Sequence, residues 1–235
     1  MLELRDLVKR YPVGDGEPVR AVDGVSLAVG PGELVALYGP SGSGKTTLLM
    51  MIAALLRPDS GTVRMDGRDV SRLSEREAAR FRRSELGFVR QSLHLLESAS
   101  ALDNAALKLM GTDLGVGAAQ RRVLPLLERL GLGARIEHRA ERLSMGERQR
   151  VMIARALSTE PKLVLADEPT SNLDSARGEE VLRLLTDVCR ERRTAVLLVT
   201  HDPRAAAHAD RVHTLRDGRL VEYEPDRLAV AVTAE

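Results

Sequence analysis

Two short runs carry residue types suited to handling phosphate. Gly39-Pro40-Ser41-Gly42-Ser43-Gly44-Lys45-Thr46, with Thr47 directly behind, fits the pattern G-x-x-x-x-G-K-[ST] in full. Glycines there let backbone N–H groups converge on phosphate oxygens, and a helix starting at Lys45 adds the positive end of its dipole. In that setting Lys45 bridges the β- and γ-phosphates, and the Thr46 hydroxyl takes a coordination place on Mg²⁺. The second run, Leu163-Val164-Leu165-Ala166-Asp167-Glu168, is an apolar strand ending in two acids. Acids at the carboxyl end of a parallel strand lie beside the crevice where such sheets bind ligands. Asp167 would hold Mg²⁺ through water, and Glu168 would polarise an attacking water. Each run alone also reads as a plain turn, glycine-rich in one case and acidic in the other. Together they point to hydrolysis of a nucleoside triphosphate.

The elements that must position these residues follow from patterning. Leu2 to Val8 alternates as a strand, and Val19 to Val29 reads as one or two more, closed by Gly30-Pro31-Gly32. This front part is expected to be an antiparallel β-lobe. Leu34 to Tyr38 is a continuous apolar run of the kind buried on both faces, and a helix is expected from Lys45 to Leu56. Residues 71–83 and 118–130 read as helices, the second with Leu124-Pro125 as a kink. Residues from about 92 to 143 are expected to form a helical subdomain inserted into an α/β core. A helix at about 145–158, the strand at 163–166, a helix with Val181, Leu182, Leu184, Leu185, Val188 and Cys189 on one stripe, and the strand Ala195–Thr200 come next. That alternation implies a mainly parallel sheet with right-handed crossovers. Asp217-Gly218, between Val212–Arg216 and Arg219–Glu222, reads as a tight hairpin turn, and residues 225–235 as a C-terminal tail.

Upstream of the acidic strand, Leu143-Ser144-Met145-Gly146-Glu147-Arg148-Gln149-Arg150 resembles the LSGGQ signature of ABC ATPases. Ser144 with Glu147 three residues on is also a capping box, and the two readings are compatible. The resemblance implies one ABC ATPase domain over residues 1–235, with ATP and Mg²⁺ as ligands. It implies a dimer, a homodimer or a pair of related ABC subunits, in which Ser144 and Gly146 contact the γ-phosphate held by the opposite subunit. Four further positions match the family in order. Tyr11 resembles the aromatic that stacks on adenine, and Gln91 the glutamine that reaches Mg²⁺ and meets a membrane partner. Ser171-Asn172-Leu173-Asp174 resembles the loop that crosses the dimer interface, and His201 the switch histidine at the γ-phosphate. Lys45, Glu168 and His201 are thus the expected catalytic set. Thr46, Gln91 and, through water, Asp167 are the expected metal set. Gly39–Leu49, Leu73–Gln91 and Leu163–Asp174 look most like the macrolide-exporter and lipoprotein-releasing ATPases, with the cell-division ATPase FtsE nearby. Met145 stands where the family has the first glycine of its signature. Backbone donation at this first helical position survives any side chain, whereas a β-carbon at Gly146 is expected to press on the incoming phosphate.

Composition narrows the alternatives. The 235 residues suffice for one sizeable α/β domain, and 43% hydrophobic with 29% charged residues suits a folded globular chain. Charge balances at +1 from 35 basic and 34 acidic residues, which leaves no electrostatic footprint for nucleic acid. Lysine occurs only at 9, 45, 108 and 162, and the single Cys189 has no partner for an internal disulfide. No window approaches the roughly 20 apolar residues of a membrane span, so the expectation is a peripheral protein on the cytoplasmic face of the membrane, acting through a permease on a separate chain. The 53 positions between Gln91 and Ser144 leave no room for the long coiled coils of SMC-type ATPases, and one signature is half of what a two-cassette ribosome factor carries. An FtsE-like ATPase that transmits force without transport stays as the alternative. If Tyr11 stacks on adenine, Tyr11→Ala raises the apparent ATP constant by about 1–3 kcal/mol equivalent while Tyr11→Phe is tolerated; an ATP titration with an unchanged constant in Tyr11→Ala makes it a surface residue.

Overall fold

A computed structural model describes residues 1–221 apart from 13, 15, 16, 93 and 172. The expected tail at 225–235, Glu222 of the hairpin and Asn172 lie outside the described residues. Among the described residues the strands form two sheets. The first is antiparallel and contains β1 (Leu2–Tyr11), β2 (Val19–Val29), β4 (Ser60–Met65) and β5 (Arg68–Asp69) in the order β2-β1-β4-β5. The second contains β3 (Leu34–Tyr38), β6 (Leu86–Val89), β7 (Leu163–Asp167), β8 (Ala195–Thr200), β9 (Arg211–Arg216) and β10 (Arg219–Val221) in the order β10-β9-β3-β8-β7-β6. Every neighbouring pair in it is parallel except β9 with β10. The mixed α/β architecture with a mainly parallel sheet and an antiparallel front sheet is the expected one.

Period-2 alternation of wholly apolar strands explains why the parallel sheet is covered on both faces. Val35, Leu37, Leu163, Leu165, Leu197 and Val199 face one core with α1 (Lys45–Ile52) and the first sheet. Leu34, Val164, Ala166, Val196 and Leu198 face the other core, with helices α3 (Ala101–Met110), α4 (Val116–Arg129), α5 (Met145–Leu157) and α6 (Ser175–Arg192). Cys189 is buried there, and burial pushes its thiol up to about 11, so it packs as a small apolar residue.

Several boundaries differ from the patterned expectation, for local reasons. α1 ends at Ile52 instead of Leu56: Ala54 adopts φ 50, and Pro58 disfavours helix in the residue before it. The helix expected over 71–83 is α2 (Glu75–Ser84), because Ser74 caps it and forms a reciprocal box with Glu77. Pro125 sits inside α4 without ending it. Patterning does not single out β4, β5 or β6; β4 and β6 pair with β1 and β7, which are distant in sequence, and β5 is a two-residue strand paired with β4. The 217–218 turn has both residues at positive φ, 48° and 77°, the geometry of a two-residue hairpin.

The segment following Gln91 is fixed by one side chain. Asn104 is fully buried; its Oδ1 accepts from Leu96 N at 2.8 Å, and its Nδ2 donates to the carbonyls of Leu96, Ala99 and Ser100. Asn104→Ala strands those groups and lowers stability by about 1–3 kcal/mol, to be read as a shift in the urea midpoint at unchanged slope.

Candidate functional site

The loop between β3 and α1 is held by backbone on both sides. A β-carbon at Gly44, which has φ 102, would lie 1.9 Å from Ala21 O in β2, and one at Gly39 would lie 2.3 Å from Leu215 O in β9. The hairpin turn closes the third side, with Gly218 N donating to Ser43 O at 3.1 Å and Asp23 N donating to Gly218 O at 2.8 Å. Gly42, at φ 81, has open space around it and needs glycine only for its backbone angle. Gly44 caps α1 with no side-chain hydrogen bond, so the first amides of the helix are left for a ligand.

Ser41, Gly42, Gly44, Lys45, Thr46, Thr47, Gln91, Asp167, Glu168 and His201 line one open cleft of about 350 Å³. Lys45 is nearly buried, and its Nζ donates to Gly39 O at 2.6 Å and Pro40 O at 2.8 Å. Burial lowers its pKa, against the pull of the Glu168 and Asp167 charges. Burial raises the Asp167 carboxyl, helped by the charge of Glu168 and opposed by Lys45. Thr46 Oγ1 stands 3.5 Å from Asp167 Oδ2, long for a hydrogen bond. Ser43 Oγ, buried under the loop, has no hydrogen-bond partner among the described residues.

Glu168 continues past β7 with φ 50, outside the usual region for a non-glycine residue. Its amide donates to Val199 O at 2.9 Å, and its carboxylate lies 2.6 Å from His201 Nδ1 through Oε1. Thr200 Oγ1 lies 3.5 Å from Oε2. Seven-hundredths exposed, this carboxylate has one oxygen fixed by an imidazole that is itself largely in solvent. Parallel pairing of β7 with β8 puts both groups at the same sheet edge.

Not every expected residue reaches the cleft. Tyr11 is exposed, pairs with Val19 at the far end of β1, and is not among the cleft-lining residues. Ser144 and Gly146 do not line it either. Ser144 is the N-cap of α5: its Oγ accepts from Glu147 N, and Glu147 Oε2 accepts from Ser144 N at 2.8 Å. Met145 is 53% exposed at the first helical position. A β-carbon at Gly146 would meet Leu173 Cδ2 of the same chain at 3.0 Å, a close approach that the leucine side chain would have to yield to. Gln149, inside the signature run but given no role by sequence, is wholly buried and donates to Pro169 O at 3.1 Å, joining α5 to the residue after Glu168.

A family model described as ABC transporter matches residues 22–171. The chain belongs to the ABC transporter family. It is an ATPase cassette of that family, and the relatives it resembles differ in length. The macrolide export ATP-binding/permease protein MacB 1/2 of Paracoccus denitrificans is 48% identical over 221 residues, covering 94% of this chain but 33% of the relative. The lipoprotein-releasing system ATP-binding protein LolD 2 of Chlorobaculum tepidum is 46% identical over 228 residues, covering 94% of this chain and 91% of the relative. The chain thus spans a third of the first and nearly all of the second. A dimeric post-hydrolysis structure of the ATP-binding cassette MJ0796 bound to ADP and Pi superposes with a TM-score of 0.90 at 36% identity, covering 95% of this chain and 98% of the other.

Gly44→Ala drives a β-carbon into the Ala21 carbonyl. It should weaken ATP binding at least tenfold, about 1.4 kcal/mol, in a fluorescent-nucleotide titration; parental affinity would show that the loop relaxes around the new atom.

Proposed function

We propose that this ABC ATPase is the ATP-driven motor of an export or lipoprotein-release system, working as a homodimer against a permease on a separate chain at the cytoplasmic face of the membrane. The observation that carries the dimer is the separation of the two halves of the chemistry. Lys45, Asp167, Glu168 and His201 share one cleft, whereas the capped N-terminus of α5 opens elsewhere. A second copy of the chain would bring its Ser144 and Gly146 to that cleft. The relatives named for lipoprotein release, which this chain matches over nearly their whole length, support the separate permease. Among the described residues no helix is long and apolar enough to cross a membrane.

Within the cleft, Lys45 would exchange its two loop carbonyls for β- and γ-phosphate oxygens, and the uncapped amides of α1 would take the others. The Thr46 hydroxyl, the Gln91 amide and, through water, the Asp167 carboxylate are oxygen donors suited to Mg²⁺. Among the described residues no three His, Cys, Asp or Glu side chains converge to hold a cation, so the nucleotide would supply the remaining ligands. Mg²⁺, when bound, would neutralise charge on the phosphate oxygens. Glu168 would accept a proton from the attacking water, and His201 would fix the carboxylate that does so. Tyr11 would stack on adenine from outside the cleft.

Glu168→Gln should keep ATP binding, lose most hydrolysis and form a stable ATP-bound dimer in size-exclusion chromatography, while parental turnover should rise faster than linearly with protein concentration. A Glu168→Gln chain that stays monomeric with saturating ATP, or that turns over like the parent, overturns the assignment.

A further inference from the structure

Lys108 lies outside the nucleotide cleft, yet it touches the strand that leads to Gln91 in that cleft and the helix whose other end the proposed dimer offers to the partner's cleft. From α3 its Nζ donates to Leu86 O at 2.7 Å and reaches Thr159 Oγ1 at 3.3 Å. Leu86 opens β6, the strand that runs into Gln91 five residues on. Thr159 lies just past the end of α5, the helix whose other end carries Ser144 and Gly146. A single ammonium thus joins α3, the strand that leads to Gln91 and the far end of the signature helix.

The surroundings are unusual for a lysine. The charged group that faces it is Arg155, also on α5 and itself lowered by burial. On the flanking elements, Glu85 is engaged by Arg68 at 2.7 Å, and Arg83 of α2 donates to Gly111 O at 3.0 Å. Among the described residues no carboxylate pairs with Lys108. A partly buried cation without a counter-ion costs stability, so plain packing favours an apolar residue here. What the charge gives in return is a charge-assisted bond to a backbone carbonyl of β6, stronger than a neutral donor makes.

We propose that Lys108 is a positioning residue that locks the signature helix to the strand leading to Gln91, so that both move as one body when the ATP-bound pair closes. This rests on the composite-site reading given above. It yields a signature that mere packing lacks. Burial, with Arg155 adding to it, lowers the Lys108 ammonium from 10.5 to about 8. Between those values the unfolded chain binds more protons than the folded one, so this group's contribution to stability rises with pH. The lock weakens over the same interval, because the amine loses its charge. Turnover and stability therefore move in opposite directions.

The test measures steady-state ATPase kinetics, thermal midpoint and ATP-dependent dimerisation for the full chain and for Lys108→Met and Lys108→Arg. Lys108→Met keeps the stem and removes the partly buried charge. It should show an unchanged or raised thermal midpoint, an ATP KM within twofold of the parent, and a kcat at least fivefold lower. Lys108→Arg, which stays charged, should recover at least half of that kcat and should lack the decline in parental kcat centred near pH 8. In the Glu168→Gln background, Lys108→Met should reduce the yield of ATP-bound dimer. A kcat within twofold of the parent, a kcat loss that merely tracks a lowered midpoint, or identical pH profiles for parent and Lys108→Arg each overturns the proposal. If Glu168→Gln with native Lys108 itself forms no dimer, the composite-site reading fails first; if it dimerises and Lys108→Met changes nothing, only the role of Lys108 is lost.

Discussion

The nucleotide cleft depends on three stretches of backbone packed so closely that no side chain fits between them. The Ala21 carbonyl occupies the place of a β-carbon on Gly44, the Leu215 carbonyl that of one on Gly39, and Gly218 N bonds Ser43 O. Those contacts come from the antiparallel sheet, the last parallel strand and the closing hairpin, so the phosphate loop keeps its shape only when all three are in place. Two glycines of the motif are thus needed for packing within the protein, whereas Gly42 is needed for its backbone angle alone. A loop held this way presents its amides without reorganising, which is where electrostatic preorganisation comes from.

The charges set within that frame offset one another. Lys45, Asp167 and Glu168 are all nearly buried, and burial acts against the charged form of Lys45 and of Asp167, while the opposite charges of the site restrain both shifts. In the state described, Lys45 bonds carbonyls of its own loop. The ammonium is therefore partly satisfied without a ligand, and anionic oxygens would replace neutral acceptors with charged ones. Glu168 carries a second constraint, a positive φ fixed by its amide bond to Val199 and by Ser171, whose hydroxyl and amide both donate to Glu168 O. Strain of that kind persists only where the surroundings over-determine it.

α5 connects these parts. Its first turn is capped by Ser144 and Glu147, its middle reaches the residue after Glu168 through Gln149, and its last turn borders Thr159 and the strand into Gln91. Arg148 adds an ion pair at 3.0 Å to Glu97, in the segment that Asn104 holds. A displacement at either end of this helix is therefore felt at the carboxylate and at Gln91, because packed helices shift as rigid units.

What sequence determined by itself was whatever depends on local chemistry. The phosphate loop, the acid-ended strand and the capping box at Ser144 are each defined by neighbours within a few residues, and so is the 217–218 hairpin. The apolar runs at 34–38, 163–166 and 195–200 announced a doubly covered parallel sheet, because continuous burial leaves no polar face to write. Tertiary structure decided what depends on distant partners. β4 and β6 are defined by pairing with β1 and β7, which lie far off in sequence, and β5 is only two residues long. Gly146 has Leu173 of its own chain beside it, and Gln149 had no role until Pro169 came within reach. Lys108 is, in sequence, one of four lysines and belongs to no motif. Only the packing of α3 against β6 and α5 makes it a partly buried cation, since desolvation is a property of the assembled surroundings and no spacing of residues along the chain encodes it.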